Sequence, residues 1–260
     1  MRKLYFGLGT LCLLFSLILL YIGIPGQAPE KPIQVKEAAS AAVEYAAAEH
    51  AVEPEKEVPL RNPIDFAALQ EVNEDIYAWL YIPGTEINHP ILQSQNGDND
   101  YYLTHTVDHL EDDNGCLFTE YYFSDKDFEI PVTVVYGHRR RSGDMFGQLE
   151  ELYALPGSLK QLSEIIIYTP EKELHYQAIA ESEFSNMHIP DHYDRFRNPE
   201  DMFSFMDEIK LYHTMTKQID ETVSLSTEDK LLVLSTCLVR NDDQRFLVIA
   251  KLVKETRWTS

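Results

Sequence analysis

Between residues 76 and 253 the chain is a succession of short runs rich in β-branched and aromatic residues. They fall at 77–82, 87–92, 115–118, 131–136, 164–169, 173–184, 230–237 and 245–253. Runs of this length and composition are strands. Their irregular spacing favours a closed barrel or a sandwich over an alternating strand-helix sheet. Pro83-Gly84-Thr85 supplies a turn between the first two. Helices enter as insertions. Asn62-Pro63 offers an N-cap and a first-turn proline ahead of Ile64, Phe66, Leu69 and Val72. A second helix is expected over 143–155. A longer one opens at Asn198-Pro199-Glu200-Asp201, with Met202, Met206, Ile209, Tyr212 and Met215 at helical spacing as a core stripe.

The N-terminus is a separate compositional event in the 260-residue chain. After Arg2 and Lys3, residues 4–24 carry no charge. At about 1.5 Å per residue such a run spans a hydrocarbon core of about 30 Å, and it exceeds the apolar stretch of a signal peptide. Residues 1–24 are therefore expected to be a single-pass transmembrane anchor, with everything after it outside because the flanking positive charges precede it. Pro25, Pro29, Pro32, Pro54 and Pro59 bracket an Ala- and Glu-rich run at 37–53, which makes 25–60 an extracytoplasmic stalk. Residues 61–255 form the globular domain.

A formal charge of -21, from 43 acidic and 22 basic residues, excludes a nucleic-acid partner held by long-range attraction. Cys12, Cys116 and Cys237 are too few for a disulfide framework and form no CxxC pair, so neither metal nor cofactor is expected. Cys12 lies inside the anchor and has no assigned role.

Chemistry is suggested at three strand ends. The run Leu231-Leu232-Val233-Leu234-Ser235-Thr236-Cys237 is an apolar strand that delivers a thiol to the rim of a sheet. An unpaired cysteine is usually an inert buried one, so context decides. The next strand opens at Arg245, and a hairpin would return its guanidinium to the same end, where a cation favours thiolate. Residues 132–136 form another apolar strand, ending in Gly137-His138. Gly137 would let the chain turn there, leaving an imidazole suited to proton transfer near neutral pH. His89, His105, His109, His175, His188, His192 and His213 read as ordinary solvated side chains.

Together these segments resemble the sortase family, class B. The likeness is carried by Leu234-Ser235-Thr236-Cys237, Tyr136-Gly137-His138 with Met145-Phe146-Gly147, and Arg245-Phe246 after Asp242-Asp243. It extends to residues 79–87, to Asp98-Asn99-Asp100-Tyr101-Tyr102-Leu103 and to Asn114-Gly115-Cys116-Leu117-Phe118. The resemblance implies a mainly β fold with helical insertions. Its parts would be an eight-stranded β-barrel, an N-terminal helix and a long helix at 199–219 before the cysteine strand. It implies a cysteine transpeptidase with Cys237 as nucleophile, His138 as acid/base and Arg245 stabilising the oxyanion, with Arg240 as an alternative cation in the same loop. Ser235, Thr236, Arg240 and Asn114 are candidate substrate contacts.

The implied partners are secreted proteins with a C-terminal sorting signal, proline second and threonine fourth, and a peptidoglycan amine as acceptor. Pilin polymerisation and hydrolysis use the same chemistry. A non-catalytic adhesion module with Cys237 merely buried is the reading from another class. Two features depart from the family pattern. Arg139-Arg140-Arg141 makes a basic patch on an acidic protein, either a solvated loop or a dock for anionic polymer. Cys116 is either a buried thiol or, if it faces Cys237, one half of an oxidisable pair.

Overall fold

A computed structural model describes residues 60–139, 145–214, 216–238, 241 and 243–259. The expected anchor and most of the stalk lie outside these residues, as do Arg140, Arg141, Arg240, Asp242 and Met215. No helix among the described residues is long and apolar enough to cross a membrane.

Nine strands form one sheet: β1 (Ile76–Tyr81), β2 (Asn88–Leu92), β3 (Leu117–Phe118), β4 (Val132–Tyr136), β5 (Glu164–Tyr168), β6 (Lys172–Ser185), β7 (Lys217–Ile219), β8 (Leu231–Cys237) and β9 (Gln244–Arg257). The order is β5-β1-β2-β3-β4-β8-β9-β6-β7, and a further β5–β6 pairing closes the first eight into a barrel. That is the expected eight-stranded barrel, with β7 added outside the ring along β6. Pairing is antiparallel except at β2–β3 and β4–β8.

Each strand's alternation sorts its side chains between two cores. Val135, Leu232, Leu234, Phe246, Val248 and Ala250 fill the barrel. Val132, Val134, Leu231, Val233, Leu247 and Ile249 face outward, where Met202, Phe205, Met206 and Ile209 cover them. The central strands are thus buried on both faces, which is why residues 231–234 are apolar without alternation. The covering helix, α5 (Pro199–Leu211), starts as expected. Pro199 is in its first turn, and Asp201 Oδ2 accepts from the Asn198 amide at 3.2 Å. Each large apolar side chain it buries contributes about 1.5–3 kcal/mol. It ends at Leu211, earlier than the 199–219 expected, and the chain then enters β7.

Other helices also differ in extent. α1 (Phe66–Val72) is capped by Asp65, whose Oδ1 accepts from Ala68 N at 3.0 Å. Asn62 is spent elsewhere, accepting from Ile64 N at 3.0 Å and donating to the Thr169 carbonyl at 2.8 Å. The helix expected over 143–155 is a short α2 (Leu149–Tyr153), followed by α3 (Ser158–Gln161) after Gly157 at φ 86°. α4 (Ile189–His192) follows β6.

One buried carboxylate works against the fold. Glu181 on β6 is fully buried, and its Oε2 has no hydrogen-bond partner among the described residues. Burial pushes its pKa from 4.5 up to about 7, while Gln218 opposes the shift. A carboxyl group that holds its proton more tightly when folded contributes stability below pH 4.5, and that contribution fades as pH rises through 7. The gap corresponds to about 3 kcal/mol at most. Glu181→Gln is therefore expected to raise the melting temperature at pH 8 and to have little effect at pH 4.5, measured by calorimetry at both values.

Candidate active site

Cys237 and Arg245 are directly paired across the β8–β9 hairpin. The sequence places them at facing strand ends because the loop closes tightly, with Leu238 N donating to the Gln244 carbonyl at 3.0 Å. β4 runs parallel to β8 with Tyr136 opposite Ser235, and Gly137 N donates to the Ser235 carbonyl at 3.1 Å. Continuing that register by two residues puts His138 beside Cys237. The three residues thus form one row across the outer face of the barrel, beyond the end of the apolar cover, and all three line one cleft of about 200 Å³.

His138 is held in a defined orientation. Its Nε2 lies 2.7 Å from the Leu103 carbonyl oxygen. A carbonyl only accepts, so Nε2 carries a hydrogen and Nδ1 is the nitrogen left to exchange protons with a substrate. Arg245 Nη1 also donates to the Gln244 carbonyl at 3.3 Å. Tyr136 stacks on Phe118 at 5.5 Å in the wall of the cleft. Its hydroxyl is held well above the usual pKa, first by burial and then by the Glu120 carboxylate, against the opposing charge of Arg245. The cleft therefore sets two cationic or proton-bearing groups around a thiol, the arrangement that nucleophilic catalysis requires.

Two glycines allow this geometry by close approach. A Cβ on Gly137 would collide with Leu117 and come within 2.7 Å of Phe146 Cδ2. Its φ is not positive, so crowding, rather than the sharp turn expected from the sequence, makes glycine necessary. Gly115 has φ +52°, and its Cβ would meet the Tyr102 carbonyl and lie 2.6 Å from that of Leu103. Gly115→Ala is expected to displace the carbonyl that orients His138. Its melting temperature should fall by about 4–8 °C, for a strain of about 2 kcal/mol. Turnover measured well below the melting point should still drop about tenfold.

The other candidate contacts separate. Ser235 shares the outer face with Cys237 and lines the cleft. Thr236 contributes to the lining, but alternation turns its side chain inward with Leu232 and Leu234, opposite Phe246. Its buried hydroxyl has no partner among the described residues, so it is not placed for substrate contact. Asn114 is exposed, bonds Asp112 Oδ1 at 2.6 Å and does not line the cleft. Arg240 lies outside the described residues. Arg139, the one described member of the basic patch, bridges Met145.

Cys116 is buried, its Sγ 3.4 Å from the His105 carbonyl. β3 pairs with β4 at Phe118 and Tyr136, and extending that register puts Cys116 on the other flank of His138. Two strand spacings of about 4.8 Å then separate it from Cys237, beyond the roughly 4.4–6.8 Å between Cα atoms in a disulfide. Neither thiol is in a disulfide. The oxidisable pair is not supported.

Asp100, Leu103, Glu120, Tyr136 and His188 also line the cleft. Sequence reasoning assigned His188 to the solvated histidines, but its Nε2 lies 2.8 Å from a Glu120 carboxylate oxygen. Sixty-eight residues separate the two, and no spacing rule joins them. Among the described residues no group of acidic, histidine or cysteine side chains could hold a metal ion.

The sortase domain model matches residues 80–253. A sortase B of Listeria monocytogenes is 30% identical over 193 residues, covering 71% of this chain and 72% of that protein. A crystal structure of sortase B from Staphylococcus aureus superposes with TM-score 0.63 at 25% identity, over 84% of this chain and 96% of that one. A class B sortase of Streptococcus pyogenes, involved in pilus biogenesis, gives TM-score 0.59 at 26% identity, over 73% and 98%. Domain match, relatives and barrel agree: the chain belongs to the sortase family of cysteine transpeptidases, in class B.

Proposed function

We propose that the protein is a membrane-anchored sorting enzyme. It cleaves a C-terminal signal with proline second and threonine fourth, after the threonine, and passes the acyl group to a peptidoglycan amine. The observation that carries this reading is the row of His138, Cys237 and Arg245 along one cleft. The Cys237 thiolate attacks the threonine carbonyl, and the charge that develops on oxygen faces Arg245. His138, which holds on Nδ1 the proton given up by the thiol, passes it to the departing amine, leaving a thioester on Cys237. An incoming amine gives its proton to His138 as it attacks, and collapse of the second tetrahedral intermediate releases the thiolate. Residues 1–24 would hold this chemistry on the outer side of the membrane, where secreted substrates emerge.

The test is to incubate the protein with a library of sorting-type peptides, with and without an added amine. Cleavage after threonine, with amide product appearing only when amine is present, supports a transpeptidase. Release of free acid at the same rate in both arms would make the protein a hydrolase. Pilin polymerisation remains the alternative acceptor chemistry, separated by offering a lysine side chain against a peptidoglycan-type amine.

Arg245→Lys tests the oxyanion role. It keeps the positive charge but loses the planar fork of donors. Losing one such donor is expected to lower kcat about 10²–10³-fold, with a smaller change in KM.

A further inference from the structure

Two segments unconnected by any strand pairing meet across the mouth of the cleft. One is the connection after β3, carrying Glu120 and Phe123. The other is the loop from β6 into α4, whose Asn186, Met187, His188 and Ile189 form the far wall. Among the described residues they are joined by a bifurcated polar contact, with His188 Nε2 lying 2.9 and 2.8 Å from the two Glu120 oxygens. Glu120 is nearly buried, its side chain 7% exposed, against 35% for His188. Burial raises the Glu120 pKa and the hydrogen bond from His188 opposes that rise, so the buried carboxylate depends on His188 as its partner.

The imidazole is fixed on its remaining sides. Nδ1 lies 3.0 Å from Asp191 Oδ2, and Phe123 meets the ring edge-on at 4.7 Å. Arg195 in turn lies 4.8 Å from the centre of the Phe123 ring. Nε2 is thus engaged by Glu120, and Nδ1 by Asp191, whose backbone N–H also lies 3.4 Å from it as the cap of α4. Chemistry at His188 is not what this arrangement provides. It provides a fixed distance between two walls.

We infer that the Glu120–His188 pair is a latch that sets the width of the cleft, making both positioning residues for the donor peptide. This rests on the reading of the cleft as the donor-peptide site. An open latch would let the β6–α4 loop move away from Cys237 and cost peptide affinity. The row of His138, Cys237 and Arg245 would be untouched, because it is built on β4, β8 and β9.

The experiment compares wild type with His188→Ala, His188→Phe and His188→Gln in the full-length protein, using a donor peptide that wild type turns over. His188→Phe keeps the ring against Phe123 but removes both nitrogens, so it remains informative if the alanine variant folds poorly. Both are expected to raise KM about tenfold with kcat within about twofold, and to leave alkylation of Cys237 by iodoacetamide at the wild-type rate. His188→Gln retains a donor for Glu120 and should bring KM back to within about threefold of wild type. Glu120→Gln combined with His188→Ala should raise KM no further than His188→Ala alone. Folded variants with unchanged KM, or with kcat and alkylation falling together, would overturn the latch. If wild type turned over no peptide at all, the donor-peptide reading would fail, and the latch with it.

Discussion

Cys237→Ala should lower peptide cleavage by about 10⁴-fold or more while leaving the fold intact. Cys237 is only partly exposed, and its side chain leaves the end of β8 for the cleft, outside both apolar cores. Replacing the thiol with a methyl group therefore removes little packing. The barrel closes through β5–β6, and β8 keeps its ladder to β4 and β9, so the melting temperature should stay within about 2 °C of wild type. A non-catalytic adhesion module would behave differently, since its binding would survive the substitution. The two readings part on this one variant, with stability as the internal control.

His138→Gln has the second-largest expected effect, a fall in turnover of about 10²–10⁴-fold. The glutamine amide can still donate to the Leu103 carbonyl, as Nε2 does now at 2.7 Å, so the strand end keeps its anchor. What is lost is the group that gives a proton to the leaving amine and takes one from the acceptor. Both half-reactions should slow, and adding more amine should not restore the rate. If amine did restore it, the defect would lie in the second step alone, and His138 would not be the acid of the first.

The barrel was legible because its physical requirements are local. Residues 231–234 are apolar on both faces of β8, and Asn198-Pro199 with Asp201 starts α5. β7 was not legible: three residues of mixed polarity owe their extended form to the β6 edge they pair with. The helix expected over 143–155 begins only at Leu149 because Met145, at φ 54°, and the turn at 146–148 hold the chain out of helical form, which spacing alone does not reveal.

At the site, Cys237 and Arg245 could be paired from a hairpin argument. His138 had to come from resemblance, since parallel β4–β8 pairing joins residues about a hundred positions apart. Thr236 shares the motif with Cys237 and the cleft lining, but the two-residue period of a strand turns its side chain to the other face. Glu120 and His188 left no trace in the sequence. Their meeting depends on where a loop falls across the barrel, and His89, His105, His109, His175, His192 and His213 read alike in the sequence.

The central claim is that Cys237 becomes acylated by the donor peptide. The direct measurement is the intact mass of the protein quenched during turnover without amine, followed by peptide mapping. A mass increase equal to the donor fragment through threonine, located on Cys237 and discharged by added amine to an amide, is the expected result. Steady cleavage with no adduct on Cys237 under conditions that trap thioesters, or an equal rate from Cys237→Ala, would contradict it.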